Sequence, residues 1–246
     1  MMLLNWRWAR DRVLESEDLM KAMGKDLSDI VTAMKYYIEL EKESGLEEYF
    51  FSRPIKNTGG FNEASIGLED LKKEVLNCRR CDLSLTRRNV VFGSGSAKAA
   101  LVFVGEAPGE EEDIQALPFV GRAGQLLTKI IEAMGMKRQD VYIANILKCR
   151  PPNNRTPLPT EILACEENVR RQIEVIKPKV ICTLGKFASQ TLLKTQVPIT
   201  SLRGKFQYYN GIKVMPTFHP AYLLRNPQDK KLVWEDMKKV LKELKQ

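Results

Sequence analysis

A three-layer α/β/α fold, with a central, mostly parallel sheet between two layers of helices, is predicted by three features of this sequence. Short apolar runs alternate with stretches of helical periodicity from about residue 100 onward. The runs "ALVFVGE", "DVYIANIL" and "KVICTLG" are apolar at successive rather than alternate positions, the pattern of strands buried on both faces. A helical stretch separates each run from the next, which is the connection a parallel sheet requires.

The elements follow in order. The first 50 residues read as helical: Leu27, Ile30, Val31, Met34 and Ile38 fall on one stripe, Asp26 or Ser28 is placed to cap its start, and Gly45 ends it. "FFSRPIKNTGGFNEASIG" has linker composition. The reading is therefore a helical N-terminal extension and linker over 1–66 and an α/β domain over 67–246. "ALVFVGE" is the first buried strand, and "GRAGQLLTKIIEAMG" a helix closed by glycine. "DVYIANIL" is the second strand; "TPLPTEILACEENVRRQIEVIK" is a helix with prolines near its start and Pro178 after its end. "KVICTLG" is the third strand and "KFASQTLLK" a helix. Asn210-Gly211 between strand-like runs signals a hairpin. "DKKLVWEDMKKVLKELK" closes the chain as an amphipathic helix.

Charge divides the chain. Residues 1–68 carry nine Lys/Arg and twelve Asp/Glu; the remainder carries thirty and nineteen, so the α/β part holds an excess of eleven positive charges. A polyanion is the natural partner of such a surface, nucleic acid first. No apolar run approaches the roughly 18 residues of a membrane span, and the start "MMLLNWRWARDR" lacks the apolar core of a signal peptide. A cytoplasmic protein is expected, without a membrane partner and without structural disulfides.

Four of the five cysteines form a pattern. Cys78 and Cys81 make "CRRC", Cys149 follows a strand in "LKCRPPNN", and Cys165 lies on a helix sixteen residues later. Arg79, Arg80, Lys148 and Arg150 surround them with positive charge, which favours thiolates. One local pair and two distant members suit an iron–sulfur cluster or a zinc site. Cys182, inside "VICTLG", reads as core.

In open α/β sheets, ligands bind beyond the carboxyl ends of the strands. Three segments fall there. "GEAPGEEED" places five carboxylates between Glu106 and Asp113, with Gly105 and Gly109 allowing tight turns; Asn145 stands near the end of the second strand; His219, the only histidine, follows the last. A lone histidine is by default structural, and a charge run by default a solvated face. Their position after buried strands is what makes them candidates.

The segments "GEAPGEEED", "PFVGRAGQLL", "NILKCRPPNNRTP" and "HPAYLLRNP", together with the four cysteines, resemble the iron–sulfur uracil-DNA glycosylases of family 4, over about residues 69–240. The resemblance implies a uracil-DNA glycosylase-like fold and a monofunctional enzyme of base excision repair. It would flip uracil out of single- or double-stranded DNA and hydrolyse the N-glycosidic bond, leaving an abasic site. Cys78, Cys81, Cys149 and Cys165 would hold one [4Fe–4S] cluster with a structural part. Phe119 would stack on the flipped base, and the Asn145 carboxamide would pair with uracil O4 and N3–H. His219 would stand by O2, where negative charge grows as the bond breaks. Gly105 and Ala107 belong to the substrate-binding set. Leu223, with Leu224 next to it, is the expected wedge into the stack, and Arg225 and Arg203 are expected phosphate contacts.

Departures from better-known uracil glycosylases leave roles to assign. An aspartate that positions the attacking water is replaced by Ala107, so a backbone carbonyl or Glu106, Glu112 or Asp113 must serve. A tyrosine that excludes the thymine methyl is replaced by Gly109, with Glu112 a candidate for that task. "SLRGKF" has no histidine to trap product covalently, so turnover is expected. A monomer is expected, with the N-terminal helices covering an edge of the sheet or, as the alternative, docking a protein partner. The rival readings are a non-enzymatic iron–sulfur or zinc nucleic-acid-binding module and an electron-transfer protein.

Overall fold

The protein is described by a computed structural model over residues 67–245. The helix expected near residues 26–45 and the linker after it lie outside these residues. The elements are α1 (Leu68–Leu76), α2 (Leu83–Thr86), β1 (Ser94–Gly95), β2 (Leu101–Gly105), α3 (Glu110–Gln115), α4 (Arg122–Ala133), β3 (Tyr142–Asn145), α5 (Pro159–Ile176), β4 (Val180–Leu184), α6 (Lys186–Leu193), α7 (Ile199–Leu202), β5 (Gln207–Tyr209), β6 (Ile212–Thr217), α8 (Pro220–Arg225) and α9 (Lys230–Leu244).

The six strands form one sheet in the order β1-β3-β2-β4-β6-β5. β2, β3, β4 and β6 are parallel, and the edge strands β1 and β5 pair antiparallel. Alternate residues of the apolar runs serve opposite faces. Val102, Val104, Ala144, Ile181 and Val214 pack with Val169, Ile173 and Ile176 of α5 and with Ala188 and Leu192 of α6. Leu101, Phe103, Ile143, Cys182 and Met215 pack with Leu127 and Ile131 of α4 and with Val233, Met237 and Val240 of α9. This is the three-layer arrangement the continuous apolar runs require, and Cys182 is in its core as expected. Truncating a side chain such as Phe103, which is fully buried, would cost about 3–5 kcal/mol.

Local chemistry sets the element ends. α5 begins with Pro159 in its first turn, and Glu161 accepts the Leu158 N–H at 2.8 Å; it ends at Lys177, whose φ is 50°, just before Pro178. The β5–β6 hairpin turns on Asn210 and Gly211, with φ of 47° and 81°, as a two-residue turn of the favoured twist demands. The acidic run after β2 forms the start of α3, with Gly109 at its N-cap and Glu110, Glu111, Glu112 and Asp113 in its first turn. Carboxylates there complement the helix dipole. The parallel strands end together at Gly105, Asn145, Leu184 and Thr217, so the turns after them share one edge of the sheet.

Candidate active site and cysteine cavity

A cleft of about 560 Å³ opens at that edge. Glu106 and Ala107 line it from the turn after β2, Phe119 from the loop between α3 and α4, Asn145 from the end of β3, and His219, Tyr222 and Arg225 from the segment after β6. Phe119, Asn145 and His219 thus meet from three distant parts of the sequence. Gly105 permits the meeting: a Cβ there would overlap both Asn145 Oδ1 and the Phe119 ring.

Asn145 is buried, and its Oδ1 is the one buried side-chain polar atom without a hydrogen-bond partner among the described residues. A buried acceptor without a donor costs about 1–3 kcal/mol. The cleft is therefore built to receive an N–H from a ligand.

Phe119 has a φ of 53°, a left-handed backbone that is an outlier for an aromatic residue. Such a conformation costs about 1–3 kcal/mol and persists only where its surroundings enforce it. Glu112 Oε1 accepts the N–H groups of Val120 and Gly121, both at 2.8 Å, and Arg138 Nη2 donates to the Pro118 carbonyl at 2.8 Å. Gly124 packs so tightly on the Phe119 carbonyl that no side chain fits there. The ring is left 5.6 Å from the His219 ring, centroid to centroid, with the planes tilted by 33°.

His219 is the N-cap of α8, and its Nδ1 accepts the Ala221 N–H at 3.1 Å. That bond assigns the proton of the neutral ring to Nε2, which is then a donor. Burial and the nearby Arg225 charge push its pKa down to about 4, against a smaller opposing effect of Glu112. The imidazole is therefore neutral in the physiological range.

The acidic residues separate by position. Glu106 is half-buried on the cleft wall, makes no side-chain hydrogen bond among the described residues, and has its pKa raised by burial. Glu112 also lines the cleft, but its carboxylate is engaged by Val120, Gly121 and, at 3.1 Å, Gly109. Asp113 departs from expectation. It is buried outside the cleft and accepts the Arg88 and Asn89 N–H groups, so it anchors a neighbouring loop and is not placed to hold a water in the cleft.

Two further expectations are corrected. Leu223 is fully buried, packed with the α4 and α9 side chains, whereas Leu224 is 38% exposed. On the single turn of α8 one leucine must face the core, and it is the first. Arg203 is bonded to both carboxylate oxygens of the buried Asp236 and to the Leu232 carbonyl. Its guanidinium ties α9 to the end of α7 and is engaged there rather than presented to phosphate. Arg225 is exposed and lines the cleft.

Asn154, Arg155 and Tyr222 also line the cleft and were given no role from sequence. Asn153 and Asn154 both have left-handed φ, 53° and 55°, and Arg155 makes a bidentate pair with Glu161 at 2.9 and 2.6 Å. The signal was present in "PPNN", since asparagine tolerates this conformation in turns.

The four patterned cysteines line a second, small cavity, together with Arg80, Arg87, Lys148 and Asn168 among others. Arg80 Nε donates to Cys78 Sγ at 3.4 Å, Arg87 Nη1 to Cys149 Sγ at 3.1 Å, and the Lys148 N–H to Cys165 Sγ at 3.3 Å. Burial pushes the Cys149 thiol up to about 11 and raises that of Cys81. Sulfurs that are costly to ionise, yet ringed by donors, suit thiolates whose charge is shared with a bound metal centre. Among the described residues no three such side chains close on a single ion.

Residues 92–244 match the uracil DNA glycosylase superfamily. The chain is 49% identical over 176 residues to the type-4 uracil-DNA glycosylase of Thermotoga maritima, covering 70% of this chain and 92% of that protein. It is 48% identical over 182 residues to that of Saccharolobus solfataricus, covering 70% and 84%. With that of Archaeoglobus fulgidus the identity is 44% over 181 residues, covering 70% and 91%.

Proposed function

The chain belongs to the type-4 uracil-DNA glycosylases of the uracil DNA glycosylase superfamily, and from that premise we propose how its residues perform uracil excision. The enzyme hydrolyses the N-glycosidic bond of uracil in DNA in the repair of deaminated cytosine. The observation that carries the residue assignment is the convergence of Phe119, Asn145 and His219 across Gly105, with Asn145 Oδ1 buried and unpartnered.

Uracil enters the cleft flipped from the strand, a step that costs a few kcal/mol of stacking. Phe119 stacks on the base. Asn145 Oδ1 accepts from uracil N3–H, and its amide nitrogen donates to O4; cytosine presents the opposite pattern at these two atoms. His219 Nε2–H donates to O2. As the glycosidic bond breaks, electrons pass to the base and O2 becomes an oxyanion. A neutral donor already in place strengthens its bond at that moment, with no proton to lose first. Glu106 is the group that positions the water attacking the sugar carbon, because its carboxylate alone among the acidic candidates is on the cleft wall and not engaged elsewhere. Glu112 holds the Phe119 loop and crowds the space beside Gly109, where a thymine methyl would have to fit. Leu224, exposed on α8, is the wedge, and Arg225 a phosphate contact.

Cys78, Cys81, Cys149 and Cys165 would hold one [4Fe–4S] cluster, which would tie together the α1–α2 segment, the loop after β3 and α5. We read the protein as a monomer that acts on uracil-containing DNA in the cytoplasm. A non-enzymatic binding module is not favoured, for it has no use for the three-residue convergence, and an electron-transfer protein has none for the basic excess. The experiment is release of free base from single-stranded oligonucleotides carrying one uracil, with cytosine and thymine controls. Release of uracil alone supports the assignment; equal release from the cytosine strand would overturn the role of Asn145.

A further inference from the structure

Lys148 stands three residues after Asn145 and one before Cys149. Lysine is among the residues least often fully buried, yet this one is 1% exposed. Its Nζ donates to the Asn145 carbonyl and to Gln172 Oε1, both at 2.7 Å. Gln172 is itself fixed, its Nε2 donating to the Phe92 carbonyl at 2.8 Å and to the Tyr142 hydroxyl at 3.0 Å.

The peptide plane between Asn145 and Ile146 is therefore held at both ends. The Ile146 N–H donates to the Gly105 carbonyl at 2.9 Å, and the Asn145 carbonyl accepts from Lys148. Among the described residues no carboxylate pairs with Lys148. A buried ammonium needs an opposite charge or a full set of acceptors. Here the acceptors are the Asn145 carbonyl and Gln172 Oε1, and Lys148 lines the cysteine cavity beside Cys149 and Cys165.

We propose that Lys148 is a positioning residue for base recognition: its buried ammonium ties the backbone of Asn145 to the wall of the cysteine cavity and so fixes the carboxamide that reads uracil. This rests on the reading of Asn145 as the base-reading residue.

The test is a double-mutant cycle on the full chain, purified anaerobically. The quantity measured is the ratio of affinities for a single-stranded oligonucleotide carrying non-cleavable 2′-fluoro-2′-deoxyuridine and for the same strand carrying 2′-fluoro-2′-deoxycytidine, whose edge reverses the donor and acceptor that Asn145 meets. Visible absorption reports cluster content, and thermal melting reports the fold. Lys148→Met is expected to keep the absorption and to lower the ratio about tenfold, the effect of leaving the Asn145 carbonyl without its donor. In an Asn145→Ala background the same change has no further effect. A native ratio in Lys148→Met, or an equal loss in both backgrounds, overturns the proposal. If Asn145→Ala alone keeps the native ratio, the reading of Asn145 fails and the proposal fails with it. Should Lys148→Met not fold, Lys148→Gln, whose amide falls short of the Asn145 carbonyl, goes through the same cycle with the same outcomes.

Discussion

The Nδ1 of His219 accepts the backbone N–H of Ala221 at 3.1 Å, so the first turn of α8 decides which nitrogen of the imidazole faces the substrate. The same bond makes the ring a neutral donor and not a cation, since protonating Nδ1 would break the cap. The only histidine of the chain is thus structural at one nitrogen and available for chemistry at the other.

The pH profile follows. A folded pKa near 4, against an ordinary 6.5, means that His219 offers the same Nε2–H from about pH 5 to 8. Glu106 acts as an acceptor only when ionised, and burial raises its pKa, so its activity is lost as pH falls through that raised value. Single-turnover excision should therefore show an acid limb belonging to Glu106. Glu106→Gln should lower the rate by about 10²–10⁴-fold and flatten the limb. An inflection near 6.5 that survives Glu106→Gln would show His219 titrating.

The two leucines of α8 should separate. Leu223→Ala empties a core position and should cost about 2–5 kcal/mol of stability, seen as a lower melting temperature. Leu224→Ala should melt like the native protein but slow excision from duplex DNA more than from single strands, because only the duplex needs a wedge. Equal slowing on both substrates would remove the wedge from Leu224.

Glu112→Ala would leave the N–H groups of Gly109, Val120 and Gly121 without their acceptor. The left-handed Phe119 should then relax, with about 1–3 kcal/mol lost for each bond left unmade and a slower excision step. Native excision in a folded Glu112→Ala protein would mean that Arg138 and Gly124 suffice to hold the ring.

Alanine at any one of Cys78, Cys81, Cys149 or Cys165 should abolish broad visible absorption, and at Cys182 should leave it intact. Iron and sulfide analysis of anaerobically prepared protein checks the composition. A colourless native protein containing zinc would replace the cluster with a single ion.

The layered fold was legible because the strands are continuous apolar runs and the long helices have strong periodicity. Phe119, Asn145 and His219 were legible through their motifs, and the cysteines through spacing. What escaped was set by tertiary contact. Which of Leu223 and Leu224 faces the core depends on how one short turn meets α4 and α9. Arg203 and Asp113 look like surface charges until Asp236 and the Arg88–Asn89 backbone are folded against them. Lys148 sits in an apolar run as an apparent breach of pattern, and its partner Gln172 is 24 residues away on α5.

The central claim is that His219 acts on the departing base more than on the bound one. Single-turnover cleavage and equilibrium binding of His219→Ala, measured on one uracil-containing oligonucleotide with cluster content matched to the native protein, test it most directly. Cleavage should be slower by about 10²–10³-fold, as for loss of an oxyanion donor, with binding changed far less. Cleavage at the native rate, or a loss of binding as large as the loss of rate, would contradict it.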